Sequence, residues 1–299
     1  MLISSWRAPL PTALTWFAVA LAAFGASFGV GALRFQLLLR GAGLESGWAT
    51  LLRAYVVASF FNLVLPGAIL GDVYRFLDAR RQTGQGSEVA GIVVLERLLS
   101  LAALGGIGLM VVPFIPLPPD QRHLGWVLVA LCSSFIAVTL AALHPRANQL
   151  LRYLARRFAP LSPPLAARVE RALTAVAALS ANPSLLAGAL ALSLVMQWLP
   201  VLANIALAAP LHAGVAWHWI AVIVPFVTLM SLIPISIGGA GVREYLYVTL
   251  FGVVGMRPEV ALSLSLSVFA VAIVWGLVGL AAFSAGRRTA RALAPSPEA

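Results

Sequence analysis

Long apolar stretches, separated by short polar intervals, dominate this chain of 299 residues. An apolar run of about 18 or more residues is long enough to cross the hydrocarbon core of a bilayer as a helix. The pattern therefore predicts an all-α polytopic integral membrane protein. The predicted runs are 13–33, 48–65, 89–117, 124–143, 184–211, 217–242 and 260–285.

An eleven-residue pattern occurs twice: LPGAILGDVYR at 65–75 is matched 168 positions later by IPISIGGAGVR at 233–243. Each copy interrupts an apolar segment with proline and glycine. Paired, interrupted segments of this kind are typical of transporters built from inverted repeats. We therefore predict two re-entrant helical hairpins that enter from opposite membrane faces. The predicted turn residues are Pro66, Gly67 and Gly71 in the first copy and Pro234, Gly238, Gly239 and Gly241 in the second.

The same pattern predicts the organisation of the chain, which we interpret as a single membrane domain over residues 1–299. One repeat covers about 13–112 and the other about 184–285. Between them, 144–183 is predicted to form an amphipathic cytoplasmic linker. Residues 287–299 are predicted to be a disordered tail.

Composition agrees with a membrane protein, since hydrophobic residues make up 61% of the chain, charged residues 10%, and the mean hydropathy is +0.96. The net charge is +10, and every basic residue is an arginine. These arginines lie at helix ends and in loops, as the positive-inside rule predicts, so we expect no nucleic-acid partner. The rule assigns 144–183 and the tail to the cytoplasm, and the side of the N-terminus depends on how the segment 48–65 is interpreted.

The segment 48–65 has two interpretations, because it is long enough to cross the membrane completely. A full crossing leaves Arg34, Arg40 and Arg53 outside, against the positive-inside rule. A hairpin that turns at Pro66–Gly67 keeps them all cytoplasmic. The following limb, 68–82, also carries too many charges for a lipid-facing span. We favour the hairpin.

Several ionisable and amide side chains lie within or beside the apolar runs. Inserting each charge at the bilayer centre costs about 2.5–3.5 kcal/mol of free energy, so these side chains are expected to have a structural or functional role. Two interpretations stay open: the groups pair with one another to fix the bundle, or the arginines bind a phosphate while the carboxylates set the local charge or carry protons. The candidate substrate-binding residues are Asn62, Asp72, Arg75, Glu96, Arg97, Arg243 and Glu244.

Motifs for other chemistry are missing from the sequence. Cys132 is the only cysteine, and the four histidines lack the spacing of metal ligands. We find no nucleotide-binding or nucleophile-elbow sequence. We therefore expect no metal, no cofactor and no catalytic residue.

At these same residues the chain resembles the lysylphosphatidylglycerol synthase membrane-domain family, the flippase-like region of the bacterial multiple peptide resistance factor. The similar pieces span roughly 13–285. They are the LeuPro…GlyAsp…Arg block at 65–75, LeuGluArg at 95–97, and PISIGGAGVRE at 234–244. The resemblance implies a multi-pass protein of the bacterial inner (cytoplasmic) membrane that moves a phospholipid or other amphiphile. The synthase of that factor has a cytosolic transferase domain after its membrane part, and we expect none here.

Three functions remain as hypotheses. The first is a flippase or transporter that moves a phospholipid or lipid-linked anionic amphiphile between leaflets, with Arg75 and Arg243 holding the headgroup while the acyl chains stay in the bilayer. The second is a membrane-embedded transferase acting on lipid-linked substrates. The third is a non-catalytic scaffold subunit with a closed, dry interior. Association with a second copy or with a synthase stays open.

Overall fold

The computed structural model describes residues 9–65, 69–115, 122–158, 162–230 and 241–292. Within these ranges the chain is helical and has no strand, which confirms the all-α prediction. The first half comprises α1 Leu10–Gly41, α2 Trp48–Val64, α3 Ile69–Thr83, α4 Gly86–Val111, a 3-10 turn Val112–Phe114 and α5 Arg122–Leu143. The second half comprises α6 Pro145–Phe158, α7 Pro163–Ser180, α8 Pro183–Ala208, α9 Trp217–Met230, α10 Val242–Val253 and α11 Pro258–Ala292.

Five of these helices, α1, α4, α5, α8 and α11, are long and apolar enough to cross a membrane. The protein is therefore a multi-pass membrane protein. The apolar helices α2 and α9 are shorter, with 17 and 14 residues. At about 1.5 Å per residue each falls short of the roughly 30 Å hydrocarbon thickness.

Helices α1 and α8 pack extensively against each other and run antiparallel. Near the end of α1, Gly41 packs against Leu185 in the first turn of α8. Farther back along α1, Arg34 donates to Ser193, farther along α8, at 2.8 Å. The contact partners move backward along α1 as they move forward along α8, so the two helices point in opposite directions.

The two ends of the α2–α3 pair lie together. The hydroxyl of Ser46, just before α2, donates to the side-chain oxygen of Gln82, near the end of α3, at 2.6 Å. The beginning of α4 follows at once and packs against α7, where a Cβ on Gly91 would meet the backbone of Ala172. The start of α2 and the end of α3 therefore both lie near the end of α4 that packs against α7.

Helix α9 begins at the opposite end of α4. The ring of Phe114, just beyond α4, lies 5.9 Å from the ring of Trp217 at the start of α9. Two separate hydrophobic cores correspond to these two ends of the bundle. One contains Leu95 of α4 and Tyr55 of α2, and the other contains Ile107 of α4 and Phe251 of α10.

The connector between the halves consists of α6 and α7, which pack against each other. Asn148 donates to the Leu173 carbonyl at 3.0 Å, and Arg156 lies 2.7 Å from Glu170. The predicted tail differs from the structure, because α11 continues as a helix to Ala292. The remainder of that predicted tail lies outside the described residues.

Candidate functional site

Glu96 on α4 joins four helices through its carboxylate. Its Oε1 accepts from Arg34 Nε on α1 at 3.1 Å and from the Tyr55 hydroxyl on α2 at 2.9 Å. Its Oε2 accepts from Arg75 Nη1 on α3 at 3.0 Å. The Glu96 side chain is only 1% exposed, so these donors replace its water almost completely. A buried carboxylate with three donors is a satisfied ion, not an open base.

Asp72 connects the other side of the same network. It lies three residues before Arg75 on one face of α3, and the two side chains form an ion pair. Its other oxygen pairs with Arg97 of α4, whose Nε donates at 2.6 Å. Arg97 is 40% exposed. The neighbours Glu96 and Arg97 thus have different partners. Of the two arginines that pair with Asp72, Arg97 is more accessible than Arg75.

Arg75 is enclosed on all sides. Its guanidinium carbon lies 4.1 Å from the centre of the Tyr55 ring and 5.7 Å from that of Phe35. Both carboxylates, Asp72 and Glu96, already bind its terminal nitrogens. The residue is 7% exposed. Arg75 therefore ties α3 to α2 and α4.

The second copy of the repeat builds a simpler version of this arrangement. Arg243 Nη2 donates to Glu244 at 2.7 Å, and its Nε lies 3.3 Å from the Ser265 hydroxyl on α11. Its guanidinium carbon stands 4.8 Å from the Phe269 ring centre. Gly241 precedes α10 with φ +84°, which favours glycine, and its N–H donates to Glu244 at 2.5 Å.

Asn62 holds the end of α2 against the start of α3. Its side-chain oxygen accepts from the Gly71 N–H at 2.9 Å. A Cβ on Gly71 would overlap this amide, so glycine permits the close approach. Two of the predicted turn residues, Gly71 and Gly241, are thus described. The other five, Pro66, Gly67, Pro234, Gly238 and Gly239, lie outside the described residues.

A cavity of about 460 Å³ brings these groups together. Six of the seven candidate residues line it, namely Asn62, Asp72, Arg75, Glu96, Arg97 and Arg243. Glu244 does not line it but pairs with Arg243. With Arg34, four arginines and two carboxylates face this space, an excess of two positive charges among the described residues. Gln197 of α8 also lines it.

Sequence reasoning missed two members of the network as site residues, Arg34 and Tyr55. Arg34 stands just beyond the first apolar run, 13–33, and was interpreted only as a topology marker. Because α1 continues to Gly41, Arg34 is inside a helix, with only 3% of its side chain exposed. The available signal was that apolar residues continue past Arg34, at Phe35 and at 37–39.

Metal chemistry has no support in the described part of the chain, where no group of three or more histidine, cysteine, aspartate or glutamate side chains is placed to hold an ion. The charged groups instead form arginine–carboxylate pairs around a cavity. Such pairs fit recognition of an anion, for which arginine supplies fixed donors.

Antiparallel helices, two cores and a charged cavity between them define an α-helical multi-pass membrane protein with a polar site inside its helix bundle. Residues 2–281 match the family model described as the lysylphosphatidylglycerol synthase TM region. The chain belongs to this family, which confirms the resemblance and gives the protein a role connected with membrane lipids. No curated protein and no solved structure matches the chain.

Proposed function

We propose that this protein is a lipid flippase: it moves a phospholipid or lipid-linked anionic amphiphile between the leaflets of the bacterial inner membrane. The proposal depends mainly on the cavity of about 460 Å³, which faces four arginines and two carboxylates. Its volume falls in the range of about 300–1,000 Å³ that is usual for ligand sites. An excess of positive charge in such a site attracts an anionic headgroup.

The proposal includes an inverted repeat, α1–α4 followed by α8–α11. The antiparallel course of α1 and α8 supports it, because inversion requires matching helices to cross in opposite directions. Contacts also match between the halves: α2 packs on α11, and α4 packs on α9. Arg75 reaches Glu96, 21 positions later, and Arg243 reaches Ser265, 22 positions later.

Two re-entrant hairpins, α2–α3 and α9–α10, complete the proposed topology. The Ser46–Gln82 hydrogen bond supports the first, since a hairpin must begin and end at one membrane face. The Phe114–Trp217 contact is at the other end of α4, which supports insertion of the second from the opposite face. The α7 end, next to the arginine-rich connector, is then the cytoplasmic face.

Helix ends add to the attraction for anions. Asp72 and Arg75 lie in the first two turns of α3, and Arg243 lies in the first turn of α10. Asp72 and Arg75 of α3 and Arg243 of α10 all line the cavity, so the amino ends of these two short helices approach the same space. The amino end of a helix carries partial positive charge and favours phosphate.

We infer that Arg97 and Arg243 contact the headgroup and that Arg75 holds the site together. Arg97 is the most exposed arginine of the network. A phosphate that enters the cavity replaces Asp72 as the partner of Arg97, while Asp72 keeps its ion pair with Arg75. The site thus offers a charged partner to an anion without leaving a carboxylate unpaired.

Fluorescent-lipid translocation in proteoliposomes tests the proposal. A hydrogen bond to a charged group contributes about 1.5–3 kcal/mol, so Arg97→Gln and Arg243→Gln are expected to slow translocation of an anionic phospholipid at least about tenfold. Arg156→Gln, on the exposed connector, is the matched control and keeps the wild-type rate. Thermal unfolding establishes that each variant is folded. Wild-type rates in both folded cavity variants would overturn the assignment.

The two rival functions make different demands on the same site. A transferase needs an open carboxylate as base, whereas Asp72, Glu96 and Glu244 are all paired with arginines. A scaffold with a dry interior agrees with that pairing but not with a cavity of about 460 Å³. Wild-type protein that translocates no lipid in proteoliposomes would favour the scaffold.

A further inference from the structure

A second cavity of about 680 Å³ lies beside the charged one. Four helices contribute to it, namely α4, α5, α9 and α10. Among the described residues that line it there is no charged, hydroxyl or amide side chain. Representative lining residues are Leu128 and Leu131 of α5, Val222 and Phe226 of α9, and Leu250 of α10. The lining is predominantly apolar, which suits a hydrocarbon chain.

The two cavities have two lining residues in common, Leu104 of α4 and Leu229 of α9. Leu104 is 6% exposed and lies one helical turn from Gly108 and two turns from Arg97. Leu229 follows Thr228, which lines the charged cavity only. These two leucines therefore mark a boundary between a charged compartment and an apolar one.

The apolar cavity faces the bilayer through the gap between α5 and α10. Helix α5 is fixed to α4, where Gly105 and Gly108 pack so closely on Cys132 that a Cβ on either would overlap it. In contrast, α5 is not among the helices that pack closely on α9 or α10 within the described part of the chain. Only 11% of the apolar window of α5 is buried inside the protein.

We propose that this cavity holds an acyl chain of the lipid whose anionic headgroup occupies the charged cavity. The inference rests on the proposed function and replaces the expectation that the acyl chains stay in the bilayer. A headgroup beside Arg97 and Arg243 has its first chain carbons near the Leu104–Leu229 boundary. An apolar space at that boundary, open sideways to lipid, gives the chain an environment without contact with the charged groups.

The proposal names the substrate more closely. The protein recognises an anionic head and a hydrocarbon chain in adjacent compartments, so the deacylated headgroup alone is a poor ligand. Burial of each CH₂ group contributes about 0.8 kcal/mol, which makes the chain a large part of the affinity.

Photo-crosslinking of the purified protein in detergent tests the proposal independently of transport. The probes are phosphatidylglycerol and phosphatidylcholine with the same diazirine-bearing acyl chain, each at about one lipid per protein. We expect the anionic probe to label peptides of α5, α9 and α10 that line the apolar cavity, more strongly than the zwitterionic probe does. Excess unlabelled phosphatidylglycerol removes this labelling, and excess glycerophosphoglycerol, its deacylated form, does not.

A pair of tryptophan variants on one helix supplies the control. Leu128→Trp fills the apolar cavity and is expected to lose most of the cavity labelling. Leu140→Trp makes the same change at a side chain that is 65% exposed and outside the cavity, and it keeps the labelling. Equal labelling by the two probes, or equal labelling of the two variants, would overturn the proposal.

The crosslinking result separates this inference from the proposed function. If cavity labelling is lost in Leu128→Trp but wild-type protein moves no lipid, the acyl compartment stands and the flippase assignment fails. If Arg243→Gln slows translocation while Leu128→Trp labels and transports as wild type does, the flippase assignment stands and the acyl compartment is refuted.

Discussion

Replacing Glu96 with glutamine removes one negative charge from the most buried part of the network. Arg75 keeps its pair with Asp72 after the change. Arg34 keeps only the hydroxyls of Ser100 and Ser193, at 2.9 and 2.8 Å. Its side chain is 3% exposed, so water cannot replace the lost carboxylate. The variant therefore leaves a buried guanidinium without a counter-ion.

Removing one partner of a buried ion pair destabilises a protein by about 3–5 kcal/mol. For Glu96→Gln this lowers the folding equilibrium constant by about two to four orders of magnitude. The control is Glu170→Gln, which makes the same change in an exposed pair. There the hydrogen bond from Arg156 holds the pKa of Glu170 below its usual range, yet solvent surrounds both groups. We expect no measurable change in the control.

Unfolding in mixed detergent micelles, followed by the fluorescence of the eight tryptophans, measures both variants against wild type. Adding Arg34→Met to Glu96→Gln removes the orphaned charge and is expected to restore much of the stability, since a buried pair often has little net value over apolar residues. The reasoning is refuted if Glu96→Gln unfolds as Glu170→Gln does, or if Arg34→Met destabilises the Glu96→Gln protein further.

Two smaller changes test single contacts, one between α2 and α3 and one between α8 and α10. Gly71→Ala forces a Cβ into the Asn62 amide and is expected to destabilise the protein in the same unfolding measurement. The control is Gly252→Ala, which has nothing within 4 Å of the added Cβ and is expected to be neutral or slightly stabilising. Equal effects of the two variants would contradict the close contact between Gly71 and Asn62. Tyr247→Phe removes the 2.7 Å hydrogen bond to Asn204 and is expected to cost about 0.5–2 kcal/mol, so a variant as stable as wild type would show that this bond contributes nothing.

Six of the residues predicted from the sequence line the charged cavity, but the sequence did not indicate their partners. Spacing alone puts Asp72 and Arg75 on one face of α3, and they do pair. It also indicates that the adjacent residues Glu96 and Arg97 point apart. Nothing in a linear pattern says that Glu96 meets Arg34, 62 positions away, or Tyr55, 41 positions away. Those contacts depend on how α1, α2 and α4 pack.

The apolar cavity was not predictable for a different reason. In a soluble protein an apolar face indicates burial, but in a bilayer apolar residues are equally stable against lipid and against protein. Leu128 and Leu140 of α5 therefore look alike in the sequence, although only Leu128 lines the cavity. Distinguishing them requires the positions of the neighbouring helices.

Arg75 and Arg243 occupy matching positions in the two copies of the sequence pattern but differ in how firmly they are attached to the long helix that follows. Arg75 is bound to the carboxylate of Glu96 on α4, whereas Arg243 contacts two uncharged groups of α11, the Ser265 hydroxyl and the Phe269 ring. The contact with Glu96 also joins two opposite charges, whereas a hydroxyl or a ring carries no net charge, so Coulomb attraction attaches Arg75 more strongly. We therefore expect α9–α10 to be the hairpin that moves against a fixed α2–α3.

Hydrogen exchange of the protein in detergent tests this, since the amides of α10 should exchange faster than those of α3. Slower exchange in α10, or equal exchange in the two helices, would assign the moving part elsewhere.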